Sequence, residues 1–164
     1  MPQIAVAGAL AYDQICTTTT GLLNTDQPLL NRKLASVTET FGGCAGNIAF
    51  NLGLLGQPAR LLSCTGVEDD SRYLAHLQSH AVDIEHCLRL PGQPSARAII
   101  FTDPSGAQFT GFYPGPVPSE AEWHAHLLQA KLHSMRLYLQ APYPPELMLA
   151  GLDAMQKINP TTLL

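Results

Sequence analysis

The stretch FGGCAGNIAFNLGLLG, residues 41–56, decides the architecture of this chain. Gly42 and Gly43 form a tight turn, and apolar residues then recur at helical spacing until Gly56 ends the pattern. The stretch therefore predicts a glycine turn that opens a helix of about a dozen residues. Glycines let a backbone approach a ligand closely, and the first N–H groups of a helix are free donors. The turn is a candidate ligand site, and the alternative is a turn that serves only close packing.

Short apolar runs on both sides of this helix are typical of strands buried on both faces. QIAVAGAL, residues 3–10, precedes the helix, and ARLLSCTG, residues 59–66, follows it. The downstream patterns predict further helices from Asp69 and over 119–131 and 144–157, with strands at 82–86, 135–139 and 161–164. Strands that alternate with helices favour an α/β fold with a parallel sheet covered by helices.

Two further segments predict a smaller β-element beside the main sheet. Residues 15–24 contain four consecutive threonines, and residues 34–40 alternate in a strand-like way. The segments 15–24 and 34–40 together predict an exposed β-insert over residues 15–40. Farther along the chain, residues 95–102 and 108–113 flank Asp103-Pro104-Ser105-Gly106, which is a turn by composition, and predict a hairpin.

Asp13 is a candidate substrate ligand because it follows the first predicted strand at its carboxyl end. Open α/β sheets place their ligands at that edge. A carboxylate there can accept hydrogen bonds from two neighbouring hydroxyls, which suits a sugar diol. The alternative is a solvated loop aspartate or a helix cap.

Composition and charge exclude several classes of protein. The 164 residues are 46% hydrophobic, which is enough for one globular domain with a real core. The net charge of −4 argues against nucleic acid and anionic membranes as partners. The longest apolar runs fall short of the roughly 18 residues of a membrane helix, and the first residues lack signal-peptide features. We expect a cytoplasmic protein.

Cysteine and histidine spacing predicts no metal site. The four cysteines form no CxxC pair and are interpreted as small buried hydrophobes. His76 with His80, and His124 with His126, lack a third ligand and are interpreted as surface residues. The dinucleotide fingerprint GxGxxG is also missing from the sequence, which disfavours a dinucleotide-dependent oxidoreductase.

Several of these segments together resemble the PfkB (ribokinase-like) carbohydrate kinases. Residues 41–56 resemble the first signature of that family: a glycine pair, an asparagine four residues on, and a helix closing in Leu-Gly. Residues 59–69 resemble the strand and turn that follow it, and residues 8–13 the first strand with its sugar-binding aspartate. The insert at 15–40 resembles the β-lid of the family, to which residues 95–113 would contribute.

The likeness is strongest to the bacterial adenosine kinases, whose N-terminus is similar to IAVAGALAYDQI, residues 4–15. The resemblance implies a ribokinase-like three-layer sandwich, with a mostly parallel sheet between helices and a small β-lid. It also implies transfer of the γ-phosphate of ATP, with Mg²⁺, to a hydroxymethyl group of an adenosine-like nucleoside or a sugar.

The resemblance also assigns roles to individual residues. Asp13 would hold ribose hydroxyls, Gly42, Gly43 and Asn47 would line the same sugar, and Phe112 would pack against the base. The adenosine kinases place a second base-stacking phenylalanine after an Ala-Arg pair, where this chain has Ala98. Another nucleoside or a plain sugar therefore remains open as the substrate.

The catalytic base of the family lies in a later D-x-x-G-A-G-D motif, which these 164 residues do not contain. The strands that bind ATP belong to the same later half. We therefore expect residues 1–164 to be the N-terminal part of a truncated ribokinase-like domain, without a catalytic residue or a metal ligand. A homodimer through the lid is expected because exposed sheet edges invite pairing. The alternative is a noncatalytic module that binds a nucleoside or sugar.

Overall fold

A computed structural model describes residues 2–21 and 31–163 of this chain. Its strands are β1 (Ile4–Ala7), β2 (Ala11–Thr18), β3 (Leu34–Gly42), β4 (Ala59–Leu62), β5 (Cys64–Gly66), β6 (Leu88–Leu90), β7 (Arg97–Thr102), β8 (Gln108–Tyr113) and β9 (Leu137–Gln140). Its helices are α1 (Cys44–Leu54), α2 (Ser71–Gln78), α3 (Glu120–Gln129) and α4 (Pro145–Ile158), with a 3-10 turn at Leu132–Ser134.

The central sheet has β1 in the middle, with β4 and β9 parallel to it on either side. Helices α1 and α2 pack on one face, against Val6 of β1. Helices α3 and α4 pack on the other face, against Ala5 and Ala7. Successive side chains of a strand point to opposite faces, so β1 supplies both halves of the core. The predicted α/β class is confirmed, and the described elements form three layers.

The ends of the helices follow local sequence signals. Ser119 accepts a hydrogen bond from the backbone N–H of Glu122, and the Glu122 carboxylate accepts one from the backbone N–H of Ser119. This reciprocal capping box starts α3 where the sequence predicted a helix. Pro145 stands in the first turn of α4, where its missing N–H costs nothing.

The predicted β-insert and the predicted hairpin belong to one sheet. Strands β3, β2, β7 and β8 lie side by side in that order, and we call them the side sheet. The β7–β8 turn is held by Asp103, whose Oδ1 accepts hydrogen bonds from the backbone N–H groups of Ser105 and Ala107. Residues 22–24 of the first predicted insert strand lie outside the described residues.

Three expectations from the sequence need correction. Residues 59–66 do not form one strand: β4 and β5 separate at Ser63, because β4 pairs with β1 whereas β5 pairs with β6. Residues 82–86 form no strand, and only Asp83 makes a bridge, to Arg60. Cys44 is exposed rather than buried, because it is the first residue of α1. At the end of the chain, Leu163 bridges Leu137 at the edge of β9.

Candidate functional site

A cavity of about 440 Å³ opens where the side sheet meets the carboxyl ends of β1 and β9. Cavities that hold small molecules are commonly about 300–1,000 Å³. The lining comes from four places: the β1–β2 link with the first residues of β2, the start of α1, the end of β8 with the segment after it, and the loop after β9. These residues are Ala9, Ala11, Asp13, Gly43, Cys44, Phe112, Pro114, Val117, Pro142, Tyr143 and Pro144. The carboxyl edge of a parallel sheet is the usual place for a ligand.

Gly43 brings the N-terminus of α1 to this cavity. Its φ of 85° lies in the left-handed region, which favours glycine. A Cβ at Gly43 would also lie 2.6 Å from the carbonyl oxygen of Ala9 and 2.7 Å from the backbone nitrogen of Ala11. The glycine turn is therefore required for close packing against the β1–β2 link, and it leaves Cys44 in the cavity wall. Packing and ligand binding are compatible roles at this position.

Gly42 leaves the space that the Asp13 carboxylate occupies. A Cβ at Gly42 would lie 2.1 Å from Oδ2 of Asp13, so no other residue fits there without moving the carboxylate. Gly42 itself is buried and does not line the cavity. Asp13 is half-buried, and this burial raises the pKa of its carboxyl group. Strand β2 thus places one carboxylate in a largely apolar cavity, where it can accept hydrogen bonds from hydroxyl groups.

Phe112 lies on the same face of the side sheet as Asp13. Asp13 of β2 pairs with Ala98 of β7, which pairs with Phe112 of β8. Neighbouring strands are about 4.8 Å apart, so the two outer residues of this row are separated by about 10 Å. The Phe112 side chain is 61% exposed and contributes to the cavity wall. The small side chain of Ala98 leaves the space between them open.

Asn47 lies outside this group. It is one helical turn beyond Gly43, to whose carbonyl oxygen its backbone N–H donates at 3.0 Å. It borders a second crevice of about 170 Å³, together with Phe41, Phe50, Tyr73 and His76. The structure therefore brings Asp13, Gly43 and Phe112 together in one cavity and places Asn47 beside another. The substrate roles of all these residues stay predictions.

His76 of α2 and His80, just after the end of α2, pack against aromatic rings. The His76 ring stacks on Phe41 with a centroid separation of 4.5 Å, and the His80 ring lies 4.7 Å from Phe50. Burial, followed by the neighbouring His80, lowers the pKa of His76. Both residues are half-buried rather than fully exposed.

Tyr143 forms part of the far wall of the cavity, although it was not among the site residues expected from the sequence. Its ring lies 5.6 Å from that of Trp123, in the core on the α3–α4 side. Burial raises the pKa of Tyr143 well above its ordinary range, so the hydroxyl stays protonated. The sequence held a signal for this placement, because Pro142, Tyr143 and Pro144 lie three to five residues after the end of the predicted strand 135–139. The same carboxyl-end rule that indicated Asp13 applies to them.

The cavity residues do not by themselves fit Mg-ATP. Among residues 2–21 and 31–163, no three His, Cys, Asp or Glu side chains form a group that could hold a metal ion. The described residues that line the cavity include no Lys or Arg, the side chains that usually bind phosphate. Their chemistry instead matches a small molecule with hydroxyl groups and an apolar part.

Within the described ranges, no helix is both long enough and apolar enough to cross a membrane.

Comparisons with known proteins agree with this geometry. Residues 1–162 match the pfkB family carbohydrate kinases. The chain is 32% identical over 94 residues to the bifunctional protein HldE of Edwardsiella ictaluri (strain 93-146), which is 57% of this chain and 19% of that protein. The chain therefore belongs to the PfkB family of carbohydrate kinases.

Two solved structures show the same fold. A nucleoside kinase of Burkholderia thailandensis in complex with inosine superposes with a TM-score of 0.74 and is 30% identical, covering 94% of this chain and 49% of that one. A ribokinase of Cryptococcus neoformans var. grubii serotype A in complex with ADP has a TM-score of 0.79 and 19% identity, covering 99% and 48%. The expected ribokinase-like fold is confirmed. This chain spans about half the length of these solved kinases.

Proposed function

We propose that the protein carrying this chain transfers the γ-phosphate of ATP to a hydroxymethyl group of a nucleoside, with a plain sugar as the second candidate. Membership of the PfkB family supports the kinase class. The observation that favours a nucleoside is the register of Asp13, Ala98 and Phe112, which lie side by side on β2, β7 and β8. They present a carboxylate and an aromatic ring about 10 Å apart on one face of the side sheet. That separation suits a ribose at one end and a base at the other.

In this proposal each cavity residue has a definite role. The Asp13 carboxylate accepts hydrogen bonds from two ribose hydroxyls, and Gly42 keeps the space for it. Gly43 brings the first turn of α1 to the sugar. The family resemblance assigns Asn47 to the same sugar, but Asn47 borders the second crevice, so this proposal gives it no contact with the sugar. Phe112 packs against the face of the base, where an exposed ring gains by stacking. Tyr143 closes the far wall.

The nucleoside is adenosine-like in this proposal, that is, a purine ribonucleoside. The 30% identical kinase of Burkholderia thailandensis was solved in complex with inosine, which supports a purine base. Ala98 has no aromatic side chain to stack on the second face of the base, so binding relies on Phe112 alone. We therefore expect weak discrimination between purines, and adenosine and inosine are the substrates to compare first.

The family resemblance places the catalytic base and the Mg-ATP site in a later segment of such kinases. The residues described here bind and orient the acceptor, and the side sheet acts as the lid that excludes water. Excluding water protects the transferring phosphate from hydrolysis and strengthens the hydrogen bonds inside the site.

The side sheet also supports a homodimer with a second copy of this chain. On the face turned away from the cavity, Val37, Ile99 and Phe109 are 54%, 36% and 63% exposed. The outermost strands of the sheet, β3 and β8, each pair on one side only within the described residues. Exposed apolar side chains and free strand edges favour pairing with a partner. Analytical ultracentrifugation tests this: a monomer at micromolar concentration contradicts the dimer.

The test of the proposed function is phosphate transfer from ATP to adenosine, inosine and ribose by the protein that carries this chain, with and without Asp13→Asn. The variant should lower kcat/KM at least 100-fold, because the amide loses the charge that strengthens hydrogen bonds from hydroxyls. Asp153→Asn is the matched control, since Asp153 lies on α4 and pairs with Lys157. Near wild-type kinetics in Asp13→Asn contradict the assignment. Tight nucleoside binding without any transfer favours the noncatalytic module instead.

A further inference from the structure

Four charged side chains of alternating sign lie behind the cavity, and we call them the charged row. Arg97 of β7 donates to Asp69, with 3.0 Å between Nη2 and Oδ2. The other Arg97 nitrogen, Nη1, lies 3.6 Å from Oε2 of Glu39 of β3. Glu39 also forms an ion pair with Arg72 of α2. The row therefore runs in the order Asp69, Arg97, Glu39, Arg72.

The charged row joins two parts of the molecule. Glu39 and Arg97 belong to the side sheet, whereas Asp69 and Arg72 lie at the start of α2, which packs on the central sheet. Two of the three contacts therefore cross between the side sheet and the rest of the chain. The Asp69 carboxylate is fixed further, because its Oδ1 accepts the backbone N–H of Ser95 at 2.8 Å.

Tyr12 is enclosed by this row. The guanidinium carbons of Arg72 and Arg97 each lie 5.4 Å from the centroid of the Tyr12 ring, within the range of a cation–π interaction. The Tyr12 hydroxyl donates to the carbonyl oxygen of Asp69 at 2.6 Å. Only 2% of Tyr12 is exposed. Both the ring and the hydroxyl of Tyr12 are thus held by residues of the row.

Tyr12 and Asp13 are consecutive on β2, so their side chains point to opposite faces of the side sheet. The register agrees, because Tyr12 pairs with Arg97 and Asp13 pairs with Ala98. The charged row therefore lies directly behind the carboxylate that faces the cavity. If the end of the side sheet that contains Tyr12 and Arg97 tilted away from α2, Asp13 would move relative to Gly43 and the start of α1.

A single partly exposed ion pair contributes little to stability, since water and salt compete for both partners. A row of alternating charges in which two guanidinium groups contact the ring of one buried tyrosine is a different case. The interaction energy of the charged row is modest compared with the free energy of unfolding of the domain. It acts directly, however, on the angle between the side sheet and α2. A modest energy that shifts a small motion changes the fraction of molecules competent to bind.

We propose that Asp69, Arg97, Glu39 and Arg72 are positioning residues that act through Tyr12 to hold the Asp13 carboxylate in its place in the cavity. The position of Asp13 in this inference does not depend on the proposed function. Only its expected effect on substrate binding rests on that function. The row sets the fraction of molecules in which the side sheet lies against α2. It touches neither the substrate nor the transferred phosphate.

The test is a double-mutant cycle of Glu39→Gln, Arg72→Gln and the double variant in the protein that carries this chain, assayed at low and high salt. Each single variant should raise KM for the nucleoside about fivefold at low salt and leave kcat within twofold, because the competent fraction falls while the transfer step is untouched. The double variant should raise KM by less than the product of the two single effects, because both substitutions break the same Glu39–Arg72 pair, although each also loses a contact of its own, to Arg97 or to Tyr12. High salt should raise the wild-type KM toward the variant value.

The matched control is the pair Asp153→Asn and Lys157→Gln, an exposed ion pair within α4. Hydrogen–deuterium exchange supplies a second readout that needs no substrate: Glu39→Gln should speed exchange in β2 and leave α3 unchanged. Unchanged exchange in β2, or faster exchange in β2 with an unchanged KM, overturns the inference. A wild-type protein that neither binds nor phosphorylates a nucleoside refutes the proposed function. Hydrogen–deuterium exchange in β2 is then the readout that tests the role of the charged row.

Discussion

Phe109 and Phe112 lie on the same strand, β8, and their side chains face opposite sides of the side sheet. Phe109 pairs with Phe101, whose ring centroid is 6.4 Å away, on the face turned from the cavity. Phe112 pairs with Ala98 on the cavity face. The two side chains are exposed to nearly the same extent, 63% and 61%. They therefore form a matched pair in which one ring can contact a ligand in the cavity and the other cannot.

We predict that Phe112→Ala raises KM for adenosine about tenfold and leaves KM for ribose within twofold. Stacking of a base on an aromatic ring contributes about 1–3 kcal/mol, and ribose has no base to stack. Phe109→Ala, the control, should leave both KM values unchanged. Steady-state kinetics with both substrates provide the measurement. An equal effect of Phe112→Ala on adenosine and ribose would assign the ring to the lid rather than to base recognition.

Nucleoside affinity should depend on pH through Asp13. Burial raises the pKa of this carboxyl group, and only the ionised form accepts hydrogen bonds from two hydroxyls with both oxygens. Affinity should therefore rise as the pH rises through that raised pKa and reach a plateau above it. Calorimetric titration of adenosine from acid to neutral pH checks this. Asp13→Asn should remove the dependence, and a variant that keeps the same pH profile would exclude Asp13 as its source.

The stability of the protein should depend on Asp13 in the opposite direction. A carboxyl group whose folded pKa is raised stabilises the fold below its unfolded pKa, and that contribution is lost as the pH rises through the folded pKa. Near neutral pH, Asp13→Asn should therefore melt at a temperature no lower than the wild type. Differential scanning calorimetry at pH 7 measures it. A clearly lower Tm would show that the carboxylate holds the fold together.

Gly46→Ala should destabilise the domain. A Cβ at this position of α1 would lie 2.1 Å from the hydroxyl of Tyr73, which donates to the carbonyl oxygen of Gly42 at 2.6 Å. Overpacking typically costs about 1–3 kcal/mol, and the higher helix propensity of alanine returns about 1 kcal/mol of it. We expect a lower Tm by thermal denaturation. Gly111→Ala is the control, because no atom lies within 4 Å of the added Cβ. Equal Tm values for the two variants would contradict the close contact.

Asp83→Ala should destabilise the domain by about 3 kcal/mol, because it leaves the buried Arg60 guanidinium without its carboxylate partner. Burial is the largest single influence on the Asp83 carboxyl group and raises its pKa. The hydrogen bonds from Arg60 and from the backbone N–H of Glu85, with the positive charge of Arg60, together outweigh burial, so the pKa lies below its ordinary value. The contribution of Asp83 is thus present above its unfolded pKa and lost as the pH falls through the folded pKa. Chemical denaturation at neutral and acid pH measures both effects.

The control for Asp83 is Glu85→Ala, which breaks the exposed pair of Glu85 with Lys131. Exposed ion pairs contribute little, so the denaturation midpoint should stay at the wild-type value. A loss in Glu85→Ala as large as in Asp83→Ala would mean that burial does not distinguish the two pairs.

Local patterns predicted most of the elements, although not the short strand β6, and they did not predict the partners of the strands. The helix after Gly43 and the turn at Asp103-Pro104-Ser105-Gly106 follow from residue types that act within a few positions, and both were predicted correctly. The break at Ser63 could not be predicted, because it depends on β4 and β5 choosing different partner strands. The pairing of β2 with β7 was missed for the same reason.

The candidate site also combines features that the sequence indicated with features that depend on strand partners and could not be predicted. The position of Asp13 after a buried strand indicated a site residue by a general rule, and the structure places Asp13 in the cavity. Phe112 came only from the family resemblance, since an aromatic residue in a strand is usually part of a core. The opposition of Asp13 and Phe112 across Ala98 depends on a register between strands that no local pattern encodes.

The parallel pairing of β2 with β7 has a consequence for the order of folding. Six elements lie between these two strands in the sequence: β3, α1, β4, β5, α2 and β6. Closing so long a loop carries an entropy cost that intervening structure reduces by bringing the ends together. The pair β1–β4 with α1 between them can form during synthesis well before β7 emerges. We therefore expect the cavity to be assembled late, because a nascent chain that ends before Phe112 lacks the wall that β8 and the loop after β9 supply.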